Sequence, residues 1–291
     1  MRCFFVTDLH GRPARYRALF ERIAVERPEA VFLGGDLLPT HLGGQWEQEL
    51  GTDDFVRGFL KVEFGALRET LGAAYPRVFL ILGNDDLRIE EGAFREIGES
   101  GLWSYMHERR EELGPYPVYG YACVPPTPFL LKDWERYDVS RHVDPGSVSP
   151  EEGRRSVAVD EHEVRYGTIR EDLIRLTGTH DLSRAILLFH APPYQWKLDR
   201  AALDGKSVEG VPLDLHIGSI AVRRFIQERQ PWITLHGHVH ESTRLTGEWR
   251  DRIGRTHLFS AAHDGPELAL VRFDTERPQD AEREVAALPD A

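Results

Sequence analysis

The chain has 291 residues, 41% of them hydrophobic and 29% charged, which suits one large globular domain or two small ones and excludes a disordered or fibrous protein. Its 48 acidic residues against 36 basic ones give a formal net charge of -12, so bulk charge offers no attraction for nucleic acid or an anionic membrane. Cys3 and Cys123 are the only cysteines, and two isolated thiols argue against a disulfide framework or a cysteine-built zinc site.

Met1 to Thr7 reads as a strand, with no basic leader or small-residue cleavage site before it. No apolar run approaches the roughly 20 residues needed to span a bilayer. A soluble protein of the reducing cytoplasm is therefore expected. Pro13 to Glu26 has apolar residues at near-helical spacing, with Pro13 in the first turn, where its missing N–H costs least. Ala30 to Leu33 is the next strand and ends at Gly34-Gly35-Asp36. Asp53 to Tyr75 reads as one long amphipathic helix, and Arg77 to Leu82 as a third strand ending at Gly83-Asn84-Asp85-Asp86.

From about 101 to 181 the pattern turns to mixed strand and proline-punctuated loop, an expected elaboration on the core. Order returns with a strand over Ala185 to Phe189 that ends at His190. A helix opens at Gly218-Ser219, and Trp232 to Leu235 is a strand ending at His236-Gly237-His238-Val239-His240. Strands near His257 to Ser260 and Leu268 to Phe273 close the sheet. The expected organisation is a single domain over 1–274 followed by a poorly ordered polar tail over 275–291.

Five strand ends thus deliver metal-capable side chains: Asp8 with His10, Asp36, Asn84, His190, and His238 with His240. Residues at the carboxyl ends of strands in open α/β sheets converge in space, so these groups are expected to meet. Any one of them has an ordinary explanation as a turn, cap or hydrogen-bonded histidine; their joint recurrence is what points to a metal site. Carboxylates and imidazoles without thiolate suit Mn, Fe, Zn, Ni or Co. Asn84 is moreover the sole asparagine of the chain. No Gly-x-Ser-x-Gly elbow, cysteine–histidine pair or complete phosphate-binding loop offers a different chemistry.

The order Asp8-Leu9-His10, Gly35-Asp36, Gly83-Asn84-Asp85-Asp86, His190 and Gly237-His238-Val239-His240 resembles the calcineurin-like metallophosphoesterase superfamily. The resemblance implies a four-layer α/β/β/α sandwich, two mixed β-sheets flanked by helices. It implies two divalent metal ions, one on Asp8, His10 and His240, the other on Asn84, His190 and His238, with Asp36 between them. It further implies hydrolysis of a small phosphate ester, with phosphodiesters favoured, by a water or hydroxide bridging the two ions. Phosphomonoesters, including phosphoproteins, and a non-catalytic scaffold role stay open as alternatives.

One position departs from the family. Members commonly carry a histidine directly after the metal-binding asparagine, where it contacts phosphate and protonates the leaving group; this chain has Asp85. Asp86 matches the acidic residue that usually follows. His41, His216 and His263 are candidate substitutes for the lost acid, and His236 is expected to end its strand or hold a supporting hydrogen bond. Nothing in the sequence fixes the oligomeric state.

Overall fold

The computed structural model describes residues 1–39 and 45–288. In chain order the strands are β1 (Arg2–Val6), β2 (Ala30–Gly34), β3 (Arg77–Ile81), β4 (Ser104–Tyr105), β5 (Arg109–Leu113), β6 (Tyr116–Tyr121), β7 (Ile186–Phe189), β8 (Ser207–Val208), β9 (Val211–Pro212), β10 (Ile233–His236), β11 (Arg250–Ile253), β12 (Thr256–Ser260), β13 (Leu268–Asp274) and β14 (Glu282–Ala286). One six-stranded sheet runs β14-β13-β1-β2-β3-β4 and a second runs β11-β12-β10-β7-β6-β5; β8 and β9 form a small surface hairpin. Both large sheets are mixed. β1, β2 and β3 are mutually parallel, as are β6, β7, β10 and β12, while β13 and β11 run antiparallel to their neighbours.

Strands covered on both faces need continuous apolar runs rather than alternation. Phe4, Phe5 and Val6, Ala30 to Leu33, Val78 to Ile81, and Ile186 to Phe189 supply them, and all are buried. The sheets meet through β2, β3, β6 and β7. Helices 13–26, 61–71 and 91–98 cover the first sheet, and helices 169–177 and 220–229 cover the second. This is the expected α/β/β/α layering.

Helix 13–26 matches its expected bounds, with Pro13 at its start, and it stops where Arg27 turns left-handed at φ 48°. Its inward stripe is Pro13, Arg15, Tyr16, Leu19, Phe20 and Ile23, whereas Val25 is exposed. The long helix expected over 53–75 is instead a widened π turn over 55–60, an α-helix over 61–71 and a short 3-10 turn. Asp54 caps this run by accepting from the Arg57 N–H at 2.7 Å. Phe55, Val56, Phe59 and Leu60 of this widened turn are all buried in the core.

Two expectations need correction. The segment 101–181 is not wholly an elaboration, because residues 104–121 contribute β4 to one sheet and β5 and β6 to the other. β4 and β5 are edge strands whose polar residues read from sequence like loop, and β6, paired on both sides by β5 and β7, carries Pro117 near its start. The stretch expected to be a poorly ordered tail carries β14, paired antiparallel to β13 from Leu268–Ala286 to Arg272–Glu282. An edge strand is held by backbone pairing and exposes much of its side-chain surface, so it needs no apolar face; Arg272, ion-paired with Glu26 and Glu284, fastens it further.

Candidate metal centre

The loops after β1, β2, β3, β7 and β10 meet where the carboxyl ends of the two sheets face each other. They are laced by backbone bonds: Asp8 N–H to Gly35 O (2.9 Å), His10 N–H to Asp36 O (2.8 Å) and Gly237 N–H to His190 O (2.9 Å). Nine described residues other than glycine have positive φ, and four of them are Asp8, His10, Asp36 and His238. Left-handed backbone at non-glycine residues costs energy and persists where surrounding structure fixes it, so the strain is concentrated on the donor residues. Close approach also explains the glycines in the motifs. A Cβ on Gly83 would stand 2.2 Å from Asp36 Oδ1, and one on Gly237 would stand 2.2 Å from Thr7 Oγ1 and 2.8 Å from Asp8 Oδ2.

Ligand atoms of Asp8, His10, Asp36 and His240 all lie within 4.8 Å of one another. His240 Nε2 is 3.1 Å from His10 Nε2 and 3.1 Å from Asp8 Oδ1. His190 Nε2 is 3.1 Å from Asn84 Oδ1 and 3.3 Å from Asp36 Oδ2. Donors bound at ~2.1 Å to one cation at usual angles stand about 3.0–3.4 Å apart, so each of these four separations suits an edge of a coordination shell. His238 completes the group: its ring lies 5.3 Å from that of His190, and its backbone N–H donates to Asp8 Oδ1 at 3.1 Å.

The hydrogen-bond roles show which kind of group this cluster suits. His190 Nδ1 is 2.7 Å from Gly34 O and must donate to it. In the neutral ring Nε2 is then a bare lone pair, yet it faces only the acceptors Asn84 Oδ1 and Asp36 Oδ2. Asn84 has turned its oxygen inward because its Nδ2 donates to Asp85 Oδ1 at 3.0 Å. His10 Nδ1 is buried with no hydrogen-bond partner. Converging acceptors with no donor between them fit divalent cations. That excess of negative charge also favours protons on the cluster: burial alone would depress His190 and His240, but the carboxylates of Asp36 and Asp8 carry them up to about 10 and about 9, with protons taking the lone pairs that cations would otherwise engage. His238 is pushed down to about 3 by burial and by the neighbouring His190.

The motif model for calcineurin-like phosphoesterases matches residues 1–242. The chain belongs to that family. No curated protein matches this calcineurin-like phosphoesterase by sequence. Among solved structures it is similar to the TT1561 protein of Thermus thermophilus, at 16% identity and TM-score 0.52, over 98% of each chain. It is also similar to a dimetal phosphatase from Danio rerio, at 13% identity and TM-score 0.52, over 94% of this chain and 91% of that one. A further solved structure reaches TM-score 0.62 at 16% identity, over 98% and 99% of the two chains. At these identities the likeness is one of fold. The family's centres are dinuclear and hold divalent metal, and the donor cluster described above suits them.

The remaining candidates fall in different places. Asp85 lies at the centre, its Oδ2 3.7 Å from His10 Nδ1 and its N–H donating to Asp36 Oδ1 at 2.9 Å; burial, then the adjacent Asp36, pushes its carboxyl up to about 7. Asp86 is fully buried and accepts the N–H groups of Leu37, Leu38 and Gly83, which ties the Asp36 loop to the Asn84 loop. Burial and Asp36 push it up to about 8 against the pull of those donors. His216 is drawn away onto Asp199, Nδ1 to Oδ1 at 2.8 Å. His236 spends both nitrogens, Nδ1 on Ala191 O and Nε2 on Thr234 Oγ1, so it has no lone pair for a cation. His41 lies outside the described residues.

Sequence reading missed Arg15 and Asp199. The Arg15 guanidinium donates to Asp8 O at 2.6 Å and also to Gly265 O and Pro266 O, so helix 13–26 braces the first motif. Its signal was an arginine on the apolar stripe of an amphipathic helix. Asp199 is fully buried and accepts from the N–H groups of Gln195, Trp196 and Gly218, which organises the loop after His190. Nothing local in the sequence marks it.

Proposed function

We propose that this calcineurin-like phosphoesterase hydrolyses phosphodiesters with two divalent cations, one on Asp8, His10 and His240, the other on Asn84, His190 and His238, with Asp36 shared. The observation that carries this reading is the set of converging acceptors: the lone pair of His190 Nε2 facing Asn84 Oδ1 and Asp36 Oδ2, beside the Asp8, His10, Asp36 and His240 cluster. Bound cations would neutralise the phosphoryl oxygens and activate the attacking water. The chain's own residues hold the donors in place. Asp86 locks two motif loops together, Arg15 fixes the Asp8 backbone, and the Gly34 carbonyl orients His190.

Asp85 supports diesters over monoesters. In its ionised form Asp85, beside Asp36, adds negative charge to the centre, and that charge opposes a monoester dianion more than a diester monoanion. The cation we favour is manganese, which oxygen and imidazole donors suit. No described helix is long and apolar enough to cross a membrane. The test is release of nitrophenol from bis(p-nitrophenyl) phosphate by metal-stripped protein before and after adding Mn. Turnover that appears only with metal supports the proposal. Release from p-nitrophenyl phosphate alone would point to a monoesterase, and no metal uptake at all to a scaffold.

A further inference from the structure

A sixth strand end reaches the same pole of the molecule. β12 runs parallel to β10 with Ser260 opposite His236, so residues 261–264 emerge beside the turn that carries His238 and His240. The chain then crosses to the other sheet, where β13 lies antiparallel to β1 with Val271 opposite Phe5. The connection 261–267 therefore passes over the seam between the sheets at the end where the metal donors meet. Arg15 fixes its position, because one guanidinium bonds both Asp8 O and the carbonyls of Gly265 and Pro266. Arg244, on the helix just after His240, holds the loop from the other side through Asp264 at 2.6 Å.

His263 stands on this connection. Its Nε2 is 2.9 Å from Glu267 Oε2, and its side chain is 21% exposed. An imidazole anchored through one nitrogen to a carboxylate presents the other nitrogen in a fixed direction, the arrangement used for proton transfer. Nδ1 has no hydrogen-bond partner among the described residues. The histidines of the centre itself are committed to the donor cluster, and Asp85 is turned toward Asn84 and His10. His216 is also anchored to a carboxylate, Asp199, on the loop after His190; the loop of His263 is the one that Arg15 ties to the backbone of Asp8.

We infer that His263 is a catalytic residue that donates a proton from Nδ1 to the leaving oxygen of the ester, with Glu267 as its positioning residue. The inference rests on the phosphoesterase reading above. In the step, the P–O bond to the leaving group breaks with its electron pair, and that oxygen takes the imidazolium proton. The new P–O bond forms from water, and the proton that water loses passes to solvent, from which the imidazole is recharged. One water is consumed and an alcohol and a phosphomonoester are formed.

The test compares wild type with His263→Gln and Glu267→Gln on phosphodiesters whose leaving groups run from p-nitrophenol through phenol to a simple alcohol. General acid catalysis is worth about 10²–10⁴-fold, so His263→Gln should lose about 10²-fold or more with alcohol and phenol. With p-nitrophenol, which leaves without a proton, it should lose less than about threefold. Glu267→Gln should show the same dependence in smaller measure. Metal content should be unchanged in both variants. In the wild-type holoprotein, inorganic phosphate should shift the imidazole NMR signal that disappears in His263→Gln.

A loss independent of the leaving group, or a signal unmoved by phosphate, would overturn the assignment. So would the same selective loss appearing in His216→Asn instead. Failure of wild type on p-nitrophenyl esters would count against the phosphoesterase reading, while the phosphate-induced shift would still decide the placement of His263.

Discussion

Asp36 Oδ2 lies 3.3 Å from His190 Nε2, although Asp36 follows β2 in one sheet and His190 follows β7 in the other. This contact joins the two halves of the centre across the sandwich, and Asp36 is also among the donors that cluster with Asp8, His10 and His240. Replacing one oxygen of a shared carboxylate by an amide should therefore affect both ions. Asp36→Asn is expected to retain the fold but weaken binding of both cations by at least about tenfold and cut turnover further. Metal analysis after dialysis checks this; two equivalents retained at wild-type affinity would remove Asp36 from its shared position.

Gly83→Ala changes no donor, yet its Cβ would fall 2.2 Å from Asp36 Oδ1 and 2.7 Å from His190 Nε2. Overpacking of this kind costs about 1–3 kcal/mol. The displaced atoms are those that set the spacing of the donors. The variant should fold with a modest fall in Tm and lose metal affinity and activity out of proportion to it. Thermal unfolding and metal titration on the same sample check this, and wild-type metal affinity would contradict it.

Stability away from the centre depends on a buried ion pair in the elaboration. Lys132 and Glu135 are 0% and 1% exposed, and the ammonium also donates to Thr127 O. Removing one partner strands a buried charge and costs about 3–5 kcal/mol. At roughly 2–4 °C per kcal/mol for a chain of this size, Lys132→Met should lower Tm by about 6–20 °C. Replacing both residues with apolar ones should recover most of that loss. An unchanged Tm in the single variant would refute the argument.

Acid should destabilise the protein through His107. Its Nδ1 accepts the Ala122 N–H at 3.1 Å, and burial, with Arg88 and Arg136 nearby, holds its pKa well below the usual histidine value. The folded state therefore binds no proton there when the unfolded chain does, so stability is present above about pH 6.5 and falls as pH drops below it. The slope is up to about 1.4 kcal/mol per pH unit for one such histidine. His107→Gln, which keeps an acceptor, should show a smaller fall in Tm between pH 7 and pH 5. Equal falls in the two proteins would remove His107 from the account.

The strands that carry the candidate donors were legible in the sequence, because each motif is local. An apolar run of strand length followed by a polar turn residue, Thr-Asp after β1, Gly-Asp after β2, Gly-Asn after β3, His after β7 and Gly-His after β10, specifies both a buried strand and a polar turn, and these five strands lie within a residue or two of their expected bounds. The wrong boundaries lie where pairing rather than composition makes the strand, as in β5 and β14, whose polar side chains conceal a backbone ladder. That the amide oxygen of Asn84 faces inward, that Asp86 fastens loops instead of meeting substrate, and that Arg15 and the 261–267 connection crown the centre were decided only by tertiary structure. Those facts depend on groups far apart in the chain being brought within about 3 Å, and hydrogen-bond direction at that range is set by the neighbours that the folded sheets supply.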